Sequence, residues 1–303
     1  MKYRLYFLLL FVICSSSIKA QDYIDIVKVS YGSILDAGFE NSDATTNVPQ
    51  LDVSLTYPIK LNEKIAIITG VDYVQHQLDL VPNGDQVSLN NLTLKAGLNI
   101  KHGEKWSGTY VLLPKIASQD LHTDGDHFFF GGLALLKYQK TEHLQYRFGA
   151  YASSEGFGTF FTPILGLYYQ SEDQKWEVSA TLPINADINR RLGGKFKAGL
   201  AFQAFVRTFS LERQDNAPEL YTQMANIEIG PYLQYALLDE SLLMKLQTGY
   251  STASYEVFEE GDTLPFRLSA FEFGDGRTLL NPEMTGNIFV KVGLTYRFHL
   301  NKS

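Results

Sequence analysis

The feature that most constrains this chain is a two-residue alternation of apolar and polar side chains, repeated along nearly all of its length. Leu51, Val53, Leu55 and Tyr57 fall on one face of a segment, and Asp52, Ser54 and Thr56 on the other. Leu92, Leu94, Ala96, Leu98 and Ile100 oppose Thr93, Lys95, Gly97 and Asn99 in the same way. The longest runs set Phe196, Ala198, Leu200, Phe202, Ala204 and Val206 against Lys197, Gly199, Ala201, Gln203 and Arg207, and Ile288, Val290, Val292, Leu294, Tyr296 and Phe298 against Lys291, Gly293, Thr295, Arg297 and His299. A period of two is the signature of a strand whose two faces meet different surroundings. Globular strands average about 5–6 residues, whereas a tilted strand needs about 9–11 to cross a bilayer. Several of these runs reach the longer figure.

Such a pattern admits two all-β folds. A secreted sandwich would turn the apolar faces inward, and a membrane barrel would turn them outward to lipid. Three cues favour the barrel. The strands are long; Tyr57, Trp106, Tyr138, Tyr169 and Trp176 lie near short turns, where an interfacial girdle belongs; and the chain begins with an export signal, whereas Lys and Arg in mid-strand suit either fold. That signal comprises Lys2 and Arg4, an apolar stretch from Leu5 to Ile13, then small residues leading to Ala20. Residues 1–20 are therefore read as a signal peptide and residues 21–303 as one outer-membrane β-barrel. Cys14, the sole cysteine, lies inside that signal, so the mature chain has no thiol or disulfide chemistry. Removing Lys2, Arg4 and Lys19 leaves 23 basic against 33 acidic residues, a net charge of −10, which argues against nucleic acid as a partner.

The connections set the strand count. Tight turns are expected near Asn62, His102–Lys105, Lys140–Glu142, Ser171–Gln174, Gly193–Gly194 and Asp239–Glu240. Longer polar loops are expected at residues 36–49, 77–88, 118–126, 209–220 and 257–284. Short turns on one side and long loops on the other are the outer-membrane arrangement. Splitting residues 175–192 at Pro183 into a short hairpin, Lys175–Leu182 and Ile184–Leu192, gives fourteen strands in up-and-down order, with both chain ends on the periplasmic side. Twelve strands, with that hairpin outside the wall, is the alternative. Pro58, Pro114, Pro163, Pro183 and Pro231 cannot donate to a ladder and belong at ends, bulges or bends.

These residues resemble an uncharacterised family of Gram-negative outer-membrane β-barrels, defined as a domain of unknown function. The resemblance covers roughly residues 22–298. Val29-Ser30-Tyr31 carries it, with the strand–proline segments Tyr57-Pro58-Ile59, Leu113-Pro114-Lys115 and Leu182-Pro183-Ile184. So do Pro163-Ile164-Leu165-Gly166-Leu167-Tyr168-Tyr169 and the closing Val292-Gly293-Leu294-Thr295-Tyr296-Arg297-Phe298. It implies location in the cell outer membrane and a barrel fold, with no activity to carry over. The ending resembles the assembly signal read by the barrel-insertion machinery, with Tyr296 and Phe298 as its aromatic residues and His299 to Ser303 continuing past it.

If the apolar faces meet lipid, the lumen-facing candidates are Lys95, Lys115, Arg147, Lys197, Arg207, Lys245, Lys291 and Arg297, with Asp52, Asp72, Glu177 and Glu228 among them. Eight basic against four acidic groups predicts a polar, weakly anion-preferring lumen, with the excess negative charge placed in the loops. A salt-bridged interior that only supports the wall is the competing reading.

Other constellations are weaker. Asp120, His122, Asp124, Asp126 and His127 around Gly125 partly match a calcium loop, but the motif lacks its closing glutamate. Zinc through the histidines is the other metal reading, and a solvated loop is favoured over both. Asn91-Leu92-Thr93 matches a glycosylation sequon in mid-strand. No nucleophile, base and orienting carboxylate share a pattern, so no enzyme, cofactor or metal is expected. The expected function is a channel or transporter for small solutes, with lipid and the insertion machinery as partners. A structural barrel, binding a protein or glycan through its long loops, is the alternative.

Overall fold

The structure, a computed structural model, describes residues 23–121, 127–212 and 218–299; residues 1–20, expected to be a signal peptide, and residues 122–126 of the Asp120–His127 loop lie outside them. The first wall strands are β1 (Tyr23–Phe39), β2 (Ser42–Lys60), β3 (Ile65–Asp79), β4 (Gln86–Lys101), β5 (Trp106–Ser118), β6 (Phe128–Thr141), β7 (Leu144–Glu155) and β8 (Gly158–Gln170). The wall continues through β9 (Trp176–Leu182), β10 (Asn185–Gly193), β11 (Phe196–Ser210), β12 (Leu220–Leu237) and β13 (Leu242–Ser251). Four short elements follow, β14 (Tyr255–Glu259), β15 (Phe266–Leu268), β16 (Phe271–Phe273) and β17 (Met284–Thr285), and then the last wall strand, β18 (Asn287–His299).

Each strand from β1 to β13 pairs antiparallel with the next, and β18 pairs with both β13 and β1. The seam with β1 runs from Tyr23↔His299 to Ile34↔Phe289. The result is a closed barrel of fourteen wall strands in up-and-down order. Closure gives every wall strand a partner on both sides over at least part of its length, the arrangement that lets a barrel satisfy its backbone internally.

Alternation decides which face is outside. On β18, Ile288, Val290, Val292, Leu294, Tyr296 and Phe298 are 39–54% exposed. In a sandwich this face would be buried; here it is the exterior. At one end Trp106 packs on Tyr138 with ring centroids 4.8 Å apart, and Phe196 on Tyr235 at 4.7 Å. With exposed Tyr57, Tyr169, Trp176 and Tyr296 they form an aromatic ring around what we call the near end. Every predicted tight turn lies at this end. Gly193 and Gly194, at φ of 130° and 54°, make the tightest, in backbone conformations that only glycine adopts freely.

The far end departs from expectation. Residues 36–49 are not a loop: β1 and β2 stay paired through Ala37↔Thr46 and Gly38↔Thr45, and only Glu40 and Asn41 turn. Residues 77–88 are half strand, and the loop shrinks to the six residues between Asp79 and Gln86. Strands that extend past a bilayer into water need no apolar face, so the alternation fades while the ladder continues.

The far interior is not wholly polar either, since an apolar cluster lies among buried polar groups such as Gln50, His76, Asn90 and Asn226. Ile34, Val48, Leu78, Leu89, Ala117, Phe129 and Phe289 point inward and are buried against Phe209 of β11, Met224 of β12 and Tyr255 and Val257 of β14. The tip of β11 reaches across the ring to β5, where Ser210 pairs with Ser118. A second apolar cluster, Phe157, Phe160, Tyr221, Phe258 and Leu264, packs beside it.

The wall itself is interrupted. β9 has 7 residues, short of the roughly 9–11 that span a bilayer, and β10, with 9, only reaches the lower bound. β9 pairs with β8 only from Leu165 to Gln170, and β10 with β11 only from Phe196 to Gln203. Above their turn, at Pro183 and Ile184, β8 and β11 have no wall strand between them.

Candidate functional site

The interior contains two cavities. The near one, about 520 Å³, is polar. Its lining includes Asp25, Lys28, Asp52, Asp72, Glu177, Asp187, Lys197, Arg207, Lys245, Lys291 and Arg297, together with Ser30, Ser54, Ser179, Gln203 and Gln247. Period two places these side chains together: each lies on the face opposite a lipid-facing residue, and closure of the ring turns those faces toward one another.

Most of the cations meet carboxylates. Lys95 lies 2.6 Å from Asp72, Lys291 2.8 Å from Glu228 and 3.8 Å from Asp52, and Lys197 3.7 Å from Glu177. Lys245 lies 4.0 Å from Asp187, and Arg297 donates to Asp25 at 2.7 Å while covering the Tyr23 ring. Lys115, deeper in, is buried against Glu155. Two candidates have no carboxylate within 4 Å among the described residues. Arg147 donates to Ser179 Oγ at 3.1 Å and faces the Tyr168 ring, and Arg207 lies over Phe205. The sequence reading missed Asp25, Lys28 and Asp187. The near cavity itself is lined by six basic and five acidic side chains, with Lys95, Lys115, Arg147 and Glu228 of the sequence candidates outside its lining. Asp25 and Asp187 sit where strands are short or just starting, so no run of alternation marked their faces.

The second cavity, about 400 Å³, is mainly apolar. Asp72 and Arg207 line both cavities and separate them. From the inner wall it takes Asn91, Thr93, Leu113, Lys115, Leu133, Tyr151, Phe160 and Thr162. From the far part of β11 and β12 it takes Phe202, Ala204, Val206, Ala225 and Ile227, and from the turn between β9 and β10 Pro183 and Ile184. Arg267, Ser269 and Ala270, from the stretch around β15, complete it.

That stretch belongs to the long connection from Thr252 to Gly286, which returns into the barrel. β15 pairs in parallel with β8, Arg267 opposite Phe160 and Leu268 opposite Phe161. Leu264 N donates to Phe157 O, Ser269 N donates to Phe161 O, and the Ser269 and Thr162 hydroxyls are bonded to each other. Arg267 holds Glu272 at 2.6 Å. Arg277 bonds Asp275 at 3.0 Å, Gln223 at 2.9 Å and Tyr221 Oη at 3.1 Å. Hydrogen bonds from Arg277 hold the Asp275 carboxyl down at about 2.

Of the remaining sequence motifs, Asn91 is buried on the inner face, as a mid-strand residue. No group of three or more metal-ligating side chains occurs among the described residues. Tyr296 and Phe298 point outward on β18, and His299 extends the pairing one residue further.

A family model described as a domain of unknown function, DUF6268, matches residues 16–297. The chain belongs to that family. No curated protein matches it. Among solved structures, the COG4313 outer membrane channel from Pseudomonas putida F1 is 10% identical, covers 92% of this chain and 99% of its own, and has a TM-score of 0.42. The Pseudomonas putida toluene transporter TodX is 10% identical over 90% of each chain, with a TM-score of 0.34. The NanC porin is 10% identical over 89% of this chain and 98% of its own, at 0.37. DUF6268 members thus include a fourteen-strand barrel with a divided interior.

Proposed function

We propose that this DUF6268 protein sits in the cell outer membrane as a channel or transporter for small solutes, with a weak preference for anions. The observation that carries this reading is the polar near cavity enclosed by a ring whose exterior is apolar. A wall that only scaffolded loops would gain more from an apolar core than from a charged cavity, because charges lose solvation when buried. The excess of one basic group, with Arg147 and Arg207 free of close carboxylates among the described residues, supports the anion preference. Outward Tyr296 and Phe298 on the closing strand support handling by the insertion machinery.

Purified protein in a planar bilayer under a salt gradient tests this. The reversal potential is expected on the anion side; a cation-side potential removes the charge preference, and absence of any conductance or vesicle flux removes the channel. One observation favours the rival reading, a sealed barrel that binds a protein or glycan at its far surface: the far interior is packed by Phe209, Met224, Tyr255 and Phe289. A sealed barrel passes no solute in the same experiment.

A further inference from the structure

The apolar cavity has a geometry that a closed wall cannot produce. Leu133, Tyr151 and Thr162 reach it from the inner face of the barrel. Phe202, Ala204 and Val206 reach it from β11's other face. These three alternate with lumen-facing Gln203 and Phe205 and continue the row of lipid-facing Leu200, which is 44% exposed. Ile227, paired with Ala204 and also lining the cavity, is 42% exposed on the same outward face. One cavity can touch inward and outward faces only by passing around a free strand edge. That edge exists: beyond Ala204, whose N–H still reaches Ile184 O at 2.8 Å, no strand pairs with β11 on the side facing β8 until Ser210 meets Ser118, and Thr208 N is held only by the Glu155 side chain, among the described residues.

We infer that the break between β8 and β11, above the turn at Pro183 and Ile184, is a lateral portal through which small apolar molecules pass between the lumen and the bilayer. The inference deepens the channel reading and rests on it. Height supports it. Ala204 lies eight residues along β11 from Phe196 of the aromatic ring, within the ~9–11 residues that cross the apolar band. Size and lining agree as well, since about 400 Å³ of mainly apolar space falls in the usual range of small-ligand sites. The backbone edge of β8 in the break is covered by β15, which stands where a longer β9 would have been, so the gap is bounded without being filled. The polar step from the near cavity to the portal is marked by Arg207 and Asp72, which line both spaces.

The mature chain has no cysteine, so single-cysteine variants report position without background. Ala204→Cys, Leu200→Cys and Gln203→Cys are reconstituted in vesicles and reacted with the charged reagent 2-sulfonatoethyl methanethiosulfonate, with and without naphthalene. Gln203→Cys, in the near cavity, is expected to react. Ala204→Cys is expected to react within about tenfold of that rate, and Leu200→Cys, on the same outward face below the break, far more slowly, since thiol reactivity follows solvent access. Naphthalene is expected to slow Ala204→Cys several-fold and to leave Gln203→Cys unchanged. If Ala204→Cys is as silent as Leu200→Cys while Gln203→Cys reacts, the wall is sealed, and the portal falls while the channel stands. Reaction of Ala204→Cys that naphthalene does not slow overturns the apolar ligand class. Silence at all three positions removes the water-filled lumen and both readings together.

Discussion

The near and far halves of this barrel solve the same problem in different ways. In the near half every strand has a wall partner on both sides, the exterior is a continuous apolar surface, and the interior is a cavity of paired charges. In the far half the wall is broken between β8 and β11, and the interior is packed by apolar side chains together with the returning connection from Thr252 to Gly286. The difference shows what holds each half. The near half rests on an unbroken hydrogen-bond ladder around paired charges, the far half on a packed core of the globular kind, with tertiary ties across the break.

The strongest of those ties offers the largest test. Glu155 is fully buried, pairs with Lys115, and accepts from Thr208 N at 3.1 Å and Thr208 Oγ1 at 2.9 Å, joining β7 to β11 across the break. Glu155→Ala leaves the buried lysine uncompensated and is expected to cost about 3–5 kcal/mol. Hydrogen exchange should quicken in β11 beyond Gln203 and stay slow in the near half; uniform change would mean that the halves are one cooperative unit. Next in size is Val292→Arg, which places a charge on the lipid face of the closing strand. The expected cost is about 2–4 kcal/mol at mid-bilayer, read as a lower urea midpoint in vesicles, with loss of the fast-migrating unheated gel band. A neutral result would show that this face is not in lipid.

A smaller effect is expected for Arg207→Glu, which changes the charge where the two cavities meet. A unit charge in a water-filled lumen is worth about 1 kcal/mol at close range, so its reversal shifts ion preference by about 2 kcal/mol, roughly thirtyfold. The reversal potential should move to the cation side, and an unmoved potential would place ion selection elsewhere. The smallest concerns the near rim, where Arg191 donates to Glu240 at 3.2 Å and holds its carboxyl below the usual range. A lowered folded-state pKa stabilises fully above the ordinary glutamate value of about 4.3, and the gain is lost as pH falls through the lowered value. Glu240→Gln should therefore cost under about 1 kcal/mol at neutral pH, given its exposure. In acid the two proteins should unfold alike.

Legibility in the sequence follows the same division. The near half could be read almost completely, because an apolar exterior and a polar interior impose period two on every strand. The tight turns at Asn62, His102–Lys105 and Gly193–Gly194 were therefore visible, and so was the inward placement of Lys197, Lys291 and Arg297. Pro183 marked the β9–β10 turn. The far half misled in two ways. Glu40, Asn41, Ser42 and Asp43 look like a loop although Ser42 and Asp43 are strand, since a ladder in water needs no apolar face. Ile34, Leu78 and Leu89 carry apolar side chains onto the inner face, a sign of the packed interior that the count of charges overlooked.

By itself the sequence determined the all-β class, the membrane-type exterior, the near turns and the fourteen strands, because each depends on residues a few positions apart. Tertiary structure alone decided that β15 covers β8 where β9 stops. It also decided that one cavity joins both faces of β11, and that Asp25, Asp187 and Glu155 meet their cations. Those features depend on which strand edge is left free and what lies beside it, and hydrogen-bond pairing between strands distant in the chain leaves no periodic trace within any one of them.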